Sequence, residues 1–233
     1  CQLKKLKQLF GVPITDLNNY QVPTIVTKMI AHIQWYRLHH TPGFYRKEPA
    51  TTKKKEFTKV LNRDPRLQKT DLKQWKDPHL ISNTLKRFFR ELPDPLLGYP
   101  VYESIVKLGK EFLGDPKKIQ KGGKGSMILD QQQRQLYLTR LVPILNSIPK
   151  PNKETWEKLV FHLAVVAQSV KKNNMDAYNL STIWTPCLLR APENTESHVE
   201  YLRNLNSCIF AIQLAIEEQL RQNRECTEGQ QEV

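Results

Sequence analysis

Long apolar runs are missing from this chain. No window approaches the roughly 18 apolar residues of a membrane span, and no signal peptide is visible. The sequence opens at Cys1 rather than Met, so it is expected to be a fragment or a processed product, and the lack of a signal peptide excludes no address. Cysteine is scarce as well. Cys1, Cys187, Cys208 and Cys226 are too few and too scattered for a disulfide framework, which predicts a reducing compartment. Cys187 (in TPCLLR) and Cys208 (in NSCIFAI) sit in apolar surroundings that suit small buried hydrophobes.

Catalytic signatures are also lacking. The histidines are His32, His39, His40, His79, His162 and His198, and no two have metal-ligand spacing on a helix, so no metal site is expected. There is no G-x-S-x-G elbow. The glycines of Gly122 to Ser126 are in the wrong order for a phosphate loop, and no strand precedes them. Acids are under-represented: 23 against 36 basic residues give a formal charge of +13. Such an excess suits an anionic lipid surface, an acidic protein face or nucleic acid, or simply a basic solvated surface. Nucleic acid is disfavoured, because zinc-finger spacing and a basic run leading into heptads are both absent.

What remains is helical nearly everywhere, since alternating strand patterns never cluster. Val22, Ile25, Met29, Ile30 and Ile33 mark one face of a helix with Pro23 in its first turn. Thr51 or Thr52 opens a second, anchored by Phe57, Val60 and Leu61. Asp77-Pro78 is an N-cap followed by proline at the first helical position, and Ile81, Leu85, Phe88 and Leu92 form the stripe behind it. Further helices are predicted over 101–113, through Leu138 to Leu145, and from a cap at Asn152 with Trp156, Leu159, Val160, Leu163 and Val170 turned inward. Leu180, Ile183 and Trp184 form a shorter helix closed at Pro186, and a last one spans about 197–221. No linker divides two cores, so the expectation is one all-α domain of about eight or nine helices.

Several polar residues stand beside these turns. Arg46 lies in the proline- and glycine-bounded TPGFYRKEPA, Lys86 and Arg90 share one flank of the helix after Asp77, and Asn173 and Asn179 bracket a turn. Asn179-Leu-Ser181 is formally a glycosylation sequon, but it falls inside a helical segment.

In combination these stretches resemble the RhoGAP domain family. The likeness begins at LFGVPI (Leu9 to Ile14) and continues through GFYR (Gly43 to Arg46), similar to the family's finger loop. It is most specific in LKRFFRELPDPLL (Leu85 to Leu97) and returns in NNM (Asn173 to Met175) followed by NLSTIWTPCLLR (Asn179 to Arg190), with spacing kept. Lys47-Glu48-Pro49-Ala50 replaces the small residue and Ser-Gly that commonly follow the family's arginine, and Asn174 replaces the lysine of its N-K-M phrase.

The resemblance implies a GTPase-activating domain over residues 9–221, preceded by an extension (1–8) and followed by a flexible tail (222–233). Arg46 would act in the nucleotide pocket of a GTP-bound Rho-, Rac- or Cdc-type GTPase, as a catalytic arginine lent to another protein's active site. Lys86, Arg90 and Asn179 would contact that partner, with Asn173 and Pro186 shaping the groove. No cofactor is expected, because GTP and Mg²⁺ belong to the GTPase. A basic inserted loop over 114–133, carrying Lys117, Lys118, Lys121 and Lys124, would suit an anionic membrane surface. The place implied is cytoplasmic, close to membranes, with secretion and delivery into another cell as the alternative. A module that binds or sequesters a GTPase without accelerating hydrolysis is the other functional reading at this stage.

Overall fold

A computed structural model describes residues 8–17, 21–113, 129–193 and 195–228. Most of the expected extension and of the 114–133 insertion lies outside these residues. Among the described residues the chain folds into ten α-helices and two 3-10 turns, with no strand: α1 Ile14–Leu17, α2 Thr24–Trp35, α3 Thr51–Arg63, α4 Pro78–Arg90, α5 Tyr99–Leu113, α6 Gln131–Asn146, α7 Asn152–Gln168, α8 Val170–Asn173, α9 Ala177–Leu188 and α10 His198–Glu228. The all-α expectation holds. Two four-residue helices, α1 and α8, bring the number to ten. None of these helices is long and apolar enough to cross a membrane.

The layout follows from local chemistry. Asp77 caps α4 by accepting from the backbone N–H of His79 and Leu80 at 3.0 and 3.1 Å, with Pro78 in the position that needs no donor. Asp176 does the same for α9 through the N–H of Asn179. α4 buries Leu80, Ile81, Leu85, Phe88 and Phe89 and packs on α2, α3 and α9. α10 lies across α5, α7 and α9, burying Cys208, Phe210, Ala211, Ile212, Leu214 and Ile216. Trp184 is completely buried at the centre, edge-on to Tyr45 and Phe89.

Several sequence expectations need correction. Pro186 does not close α9. It sits inside the helix, which runs on to Leu188, and this is tolerated because Pro186 and Thr182 (whose carbonyl loses its helical donor) are both exposed near the end. Asn152 does not cap α7. Its amide donates instead to the Leu96 carbonyl at 2.8 Å and ties α7 to the turn after α4. Val170 belongs to α8, past the break at Ser169, and is 38% exposed.

Residues 222–228, expected to be loose, continue α10. Arg221 pairs with Glu218 and Glu225, and Gln222 donates to Glu218, so polar side chains one turn apart sustain the helix without a core.

Candidate functional site

The loop between α2 and α3 carries the candidate arginine, and three separate anchors fix its backbone. Gly43, in the left-handed region at φ +74°, donates its N–H to the carbonyl of Asn173 at 2.8 Å, and the N–H groups of Arg46 and Lys47 close back onto the Gly43 carbonyl at 2.9 and 3.0 Å. Tyr45 is also left-handed, at φ +68°, a strained conformation for a bulky L-residue. Its ring is completely buried against Phe44 and Trp184, and its hydroxyl is 2.7 Å from Nε2 of His162. Its carbonyl accepts from Lys86 Nζ at 2.8 Å. Burial of the Tyr45 side chain therefore holds a backbone twist that turns the next residue outward. Arg46 is exposed, and its guanidinium forms no hydrogen bond or ion pair with the described residues.

The far limb of the loop is held by Glu48. Its carboxylate accepts from Asn83 Nδ2 at 2.7 Å and from Lys54 Nζ, and lies 3.8 Å from Lys86 Nζ. The Lys54 hydrogen bond holds the Glu48 carboxyl below its ordinary range. Lys86 is nearly enclosed, with its side chain 12% exposed. Burial lowers its pKa, and the nearby Glu48 charge opposes that shift. Arg90, one turn further along α4, is exposed and free of ion pairs among the described residues, within electrostatic reach of Glu48, Lys86 and the buried thiol of Cys187. Burial pushes that thiol up, against the pull of the two cations.

Asn173 takes a different role from the one expected. It is completely buried, so it cannot reach a partner. Its amide donates to the carbonyls of His39 and Val166, and its Oδ1 accepts from the Met175 N–H, all at 2.8 Å. Together with the Gly43 bond, this makes Asn173 the pin that joins the arginine loop to α7 and α8. Asn174 then turns the chain at φ +58°, a conformation asparagine tolerates better than lysine. Its carbonyl receives the half-exposed Asn179 amide at 3.4 Å, in the first turn of α9. Pro186 is exposed near the other end of α9, on the helix that packs against α4. Arg46, Lys86, Arg90, Asn179 and Pro186 thus belong to one connected framework of loop, α4 and α9.

Tyr45, Glu48 and His162 are the residues that sequence reasoning missed. Glu48 stood out only as a departure from the family pattern, and nothing in the order of residues pairs Tyr45 with a histidine 117 positions away. Among the described residues no group of three or more His, Cys, Asp or Glu is placed to hold a metal ion.

His162 carries a prediction of its own. Burial depresses its pKa to about 3, so the native ring stays neutral while the unfolded chain's histidine binds a proton below about 6.5. The native state therefore binds fewer protons than the unfolded state between those values. Stability is fully present above pH 6.5 and falls as pH drops, by on the order of 1 kcal/mol per unit. Urea unfolding at pH 7 and pH 5 should show a loss of stability about 2 kcal/mol smaller in His162→Phe than in the wild type, while the part due to burial of His39 remains in both. An equal pH slope in both proteins would contradict this assignment.

A model of the RhoGAP domain matches residues 23–193. The chain is 28% identical over 215 residues to unconventional myosin-IXb of Rattus norvegicus, covering 91% of this chain and 10% of that protein. It is 29% identical over 191 residues to Rho GTPase-activating protein 12 of Macaca fascicularis, covering 81% of this chain and 20% of that protein. It thus spans a fifth or less of the curated relatives named here. The crystal structure of human Rho GTPase activating protein 15 superposes over 92% of both chains with a TM-score of 0.71 at 24% identity, a likeness of fold.

Proposed function

We propose that this chain, which belongs to the RhoGAP domain family, activates GTP hydrolysis by a Rho-family small GTPase, inserting Arg46 into the partner's nucleotide pocket. The observation that carries the reading is the contrast at the loop. The backbone is pinned from three sides by Asn173, Lys86 and the buried Tyr45, while the Arg46 side chain is left exposed and unengaged. Such a loop presents a cation without first having to become ordered.

In phosphoryl transfer, negative charge spreads over the transferring group's oxygens. A planar guanidinium meets that charge with several charge-assisted hydrogen bonds and stays protonated throughout. The nucleotide and Mg²⁺ are the GTPase's, so no step needs a cofactor from this chain. Arg90, Asn179 and Pro186 form the docking surface around the loop, and Lys86 shapes it chiefly by holding the Tyr45 carbonyl.

Nucleotide dependence tests this reading. Binding should be weak to a GDP-loaded Rho-family GTPase, stronger to the GTP-analogue form, and strongest with GDP plus a metal fluoride, which mimics the transferring phosphoryl group. Arg90→Ala and Asn179→Ala should each weaken the complex about tenfold. Binding that ignores the nucleotide would overturn the proposal. Glu48 should act at one remove: Glu48→Ala, which frees Lys86 and Lys54, should slow catalysed hydrolysis about three- to tenfold while Glu48→Gln costs less. Single-turnover assays at saturating activator would read this, and an unchanged rate would remove Glu48 from the loop's support.

A further inference from the structure

We propose that the surface around Trp35 docks onto an anionic lipid bilayer, a function separate from that of the Arg46 loop. Trp35 is the last residue of α2 and leaves 82% of its surface exposed, whereas Trp156 and Trp184 are 4% and 0% exposed. It completes an outward stripe on α2, Lys28, Ala31 and Trp35, all exposed at helical spacing. Among the described residues the indole packs into nothing that would explain its place in the fold.

The surroundings of this stripe are basic. The segment from Leu67 to Lys76 runs beside α2. Lys28 Nζ reaches the Leu67 carbonyl, His32 Nε2 lies 2.9 Å from the Trp75 carbonyl, and Lys76 Nζ stands 5.1 Å from the centre of the Tyr36 ring. This segment contributes Lys69, Lys73 and Lys76, and Arg37 follows the helix. All four are exposed and form no ion pair with the described residues. The nearby acids are engaged by backbone donors, although Asp71 stays exposed. The Asp64 carboxylate is engaged by the N–H groups of Gln68, Lys69 and Thr70 and by the Thr70 hydroxyl, and Asp71 caps the N–H of Lys73.

A tryptophan flanked by long basic side chains suits the lipid headgroup layer. The indole body enters the acyl boundary with its N–H among the headgroups, the lysine stems lie along the apolar surface, and their ammonium groups meet lipid phosphates and carboxylates. One inserted ring and a handful of cations give reversible, salt-sensitive association rather than permanent anchoring.

The test is partition of the intact chain into vesicles of phosphatidylcholine, with and without one-third phosphatidylserine, at physiological salt. Wild-type protein should bind only the anionic vesicles, with a blue shift in tryptophan emission and quenching by brominated lipid. Trp35→Ala should abolish the shift and weaken partition about tenfold, and K69E/K73E should weaken it at least tenfold. The control K107E/K110E makes the same charge change on α5, a helix that packs on α6 and α10 rather than α2. It should stay within about threefold of wild type. The proposal fails if anionic vesicles are not bound, if Trp35→Ala binds like wild type, or if both double variants weaken binding equally. Capture of a protein through Trp35 without vesicle affinity would also overturn it. Hydrolysis assays with lipid-free GTPase stay independent of either result, and Trp35→Ala should leave them unchanged.

Discussion

Arg46→Ala is expected to remove about 10³–10⁵ of the rate acceleration given to a GTP-loaded Rho-family GTPase, equivalent to roughly 4–7 kcal/mol of transition-state stabilisation. The loss should come almost wholly from the chemical step, because the guanidinium meets charge that exists only as the phosphoryl group transfers. Binding to the GTP-analogue form should survive within about tenfold, since Arg90 and Asn179 stay in place, whereas the extra affinity for the metal-fluoride state should vanish. Stability should move by less than about 0.5 kcal/mol, because Arg46 is exposed and unpaired among the described residues. Arg46→Lys should recover little: an ammonium keeps the charge but lacks the planar fork. Recovery close to wild type would show that charge alone suffices and would contradict a finger mechanism.

Asn173→Ala should do the reverse, damaging the fold first and catalysis second. The substitution leaves the carbonyls of His39 and Val166 and the N–H of Met175 without the partners they have at 2.8 Å, in a completely buried site. At about 1–3 kcal/mol for each orphaned buried group, partly relaxed by local shifts, the loss should be about 3–5 kcal/mol, a large fraction of ordinary domain stability. That corresponds to a fall in Tm of about 10 °C for a domain of this size. Asn173→Asp should be no milder, because it preserves the acceptor for Met175 but sets a carboxylate oxygen against two carbonyls. At a temperature where the variant is still folded, hydrolysis should also be impaired, because the Gly43 anchor on the Asn173 carbonyl belongs to the same pin. A variant as stable as wild type would show that the turn holds its shape without this side chain.

These two residues mark how far the sequence could be read. The helical class, the start of α4 at Asp77-Pro78 and the core stripe of that helix follow from capping chemistry and periodicity, and the structure has them where expected. Arg46 is identifiable because its loop motif stands at the right distance from three others. Asn173 belongs to the same motifs, but whether a matched polar residue faces a partner or the interior depends on how α7, α8 and the loop meet. No local pattern records that meeting. The same holds for Asn152, whose amide serves the distant Leu96 carbonyl rather than its own helix.

Tertiary context also decided the boundaries. Pro186 reads as a stop, yet an exposed last turn accommodates it. The run after Arg221 reads as a polar tail, yet it continues as helix to Glu228, with Arg221 paired to Glu218 and Glu225 one turn to either side. Tyr45 is the clearest case. A buried aromatic in the left-handed region is recognisable only once Trp184, Phe44 and His162 are seen around it.

The decisive measurement is single-turnover GTP hydrolysis by a panel of Rho-, Rac- and Cdc-type GTPases, with and without saturating wild-type chain. At least about a thousandfold acceleration is expected for one or more of them. GTP-dependent binding with no acceleration of any panel member would contradict it and leave the chain a module that sequesters its partner.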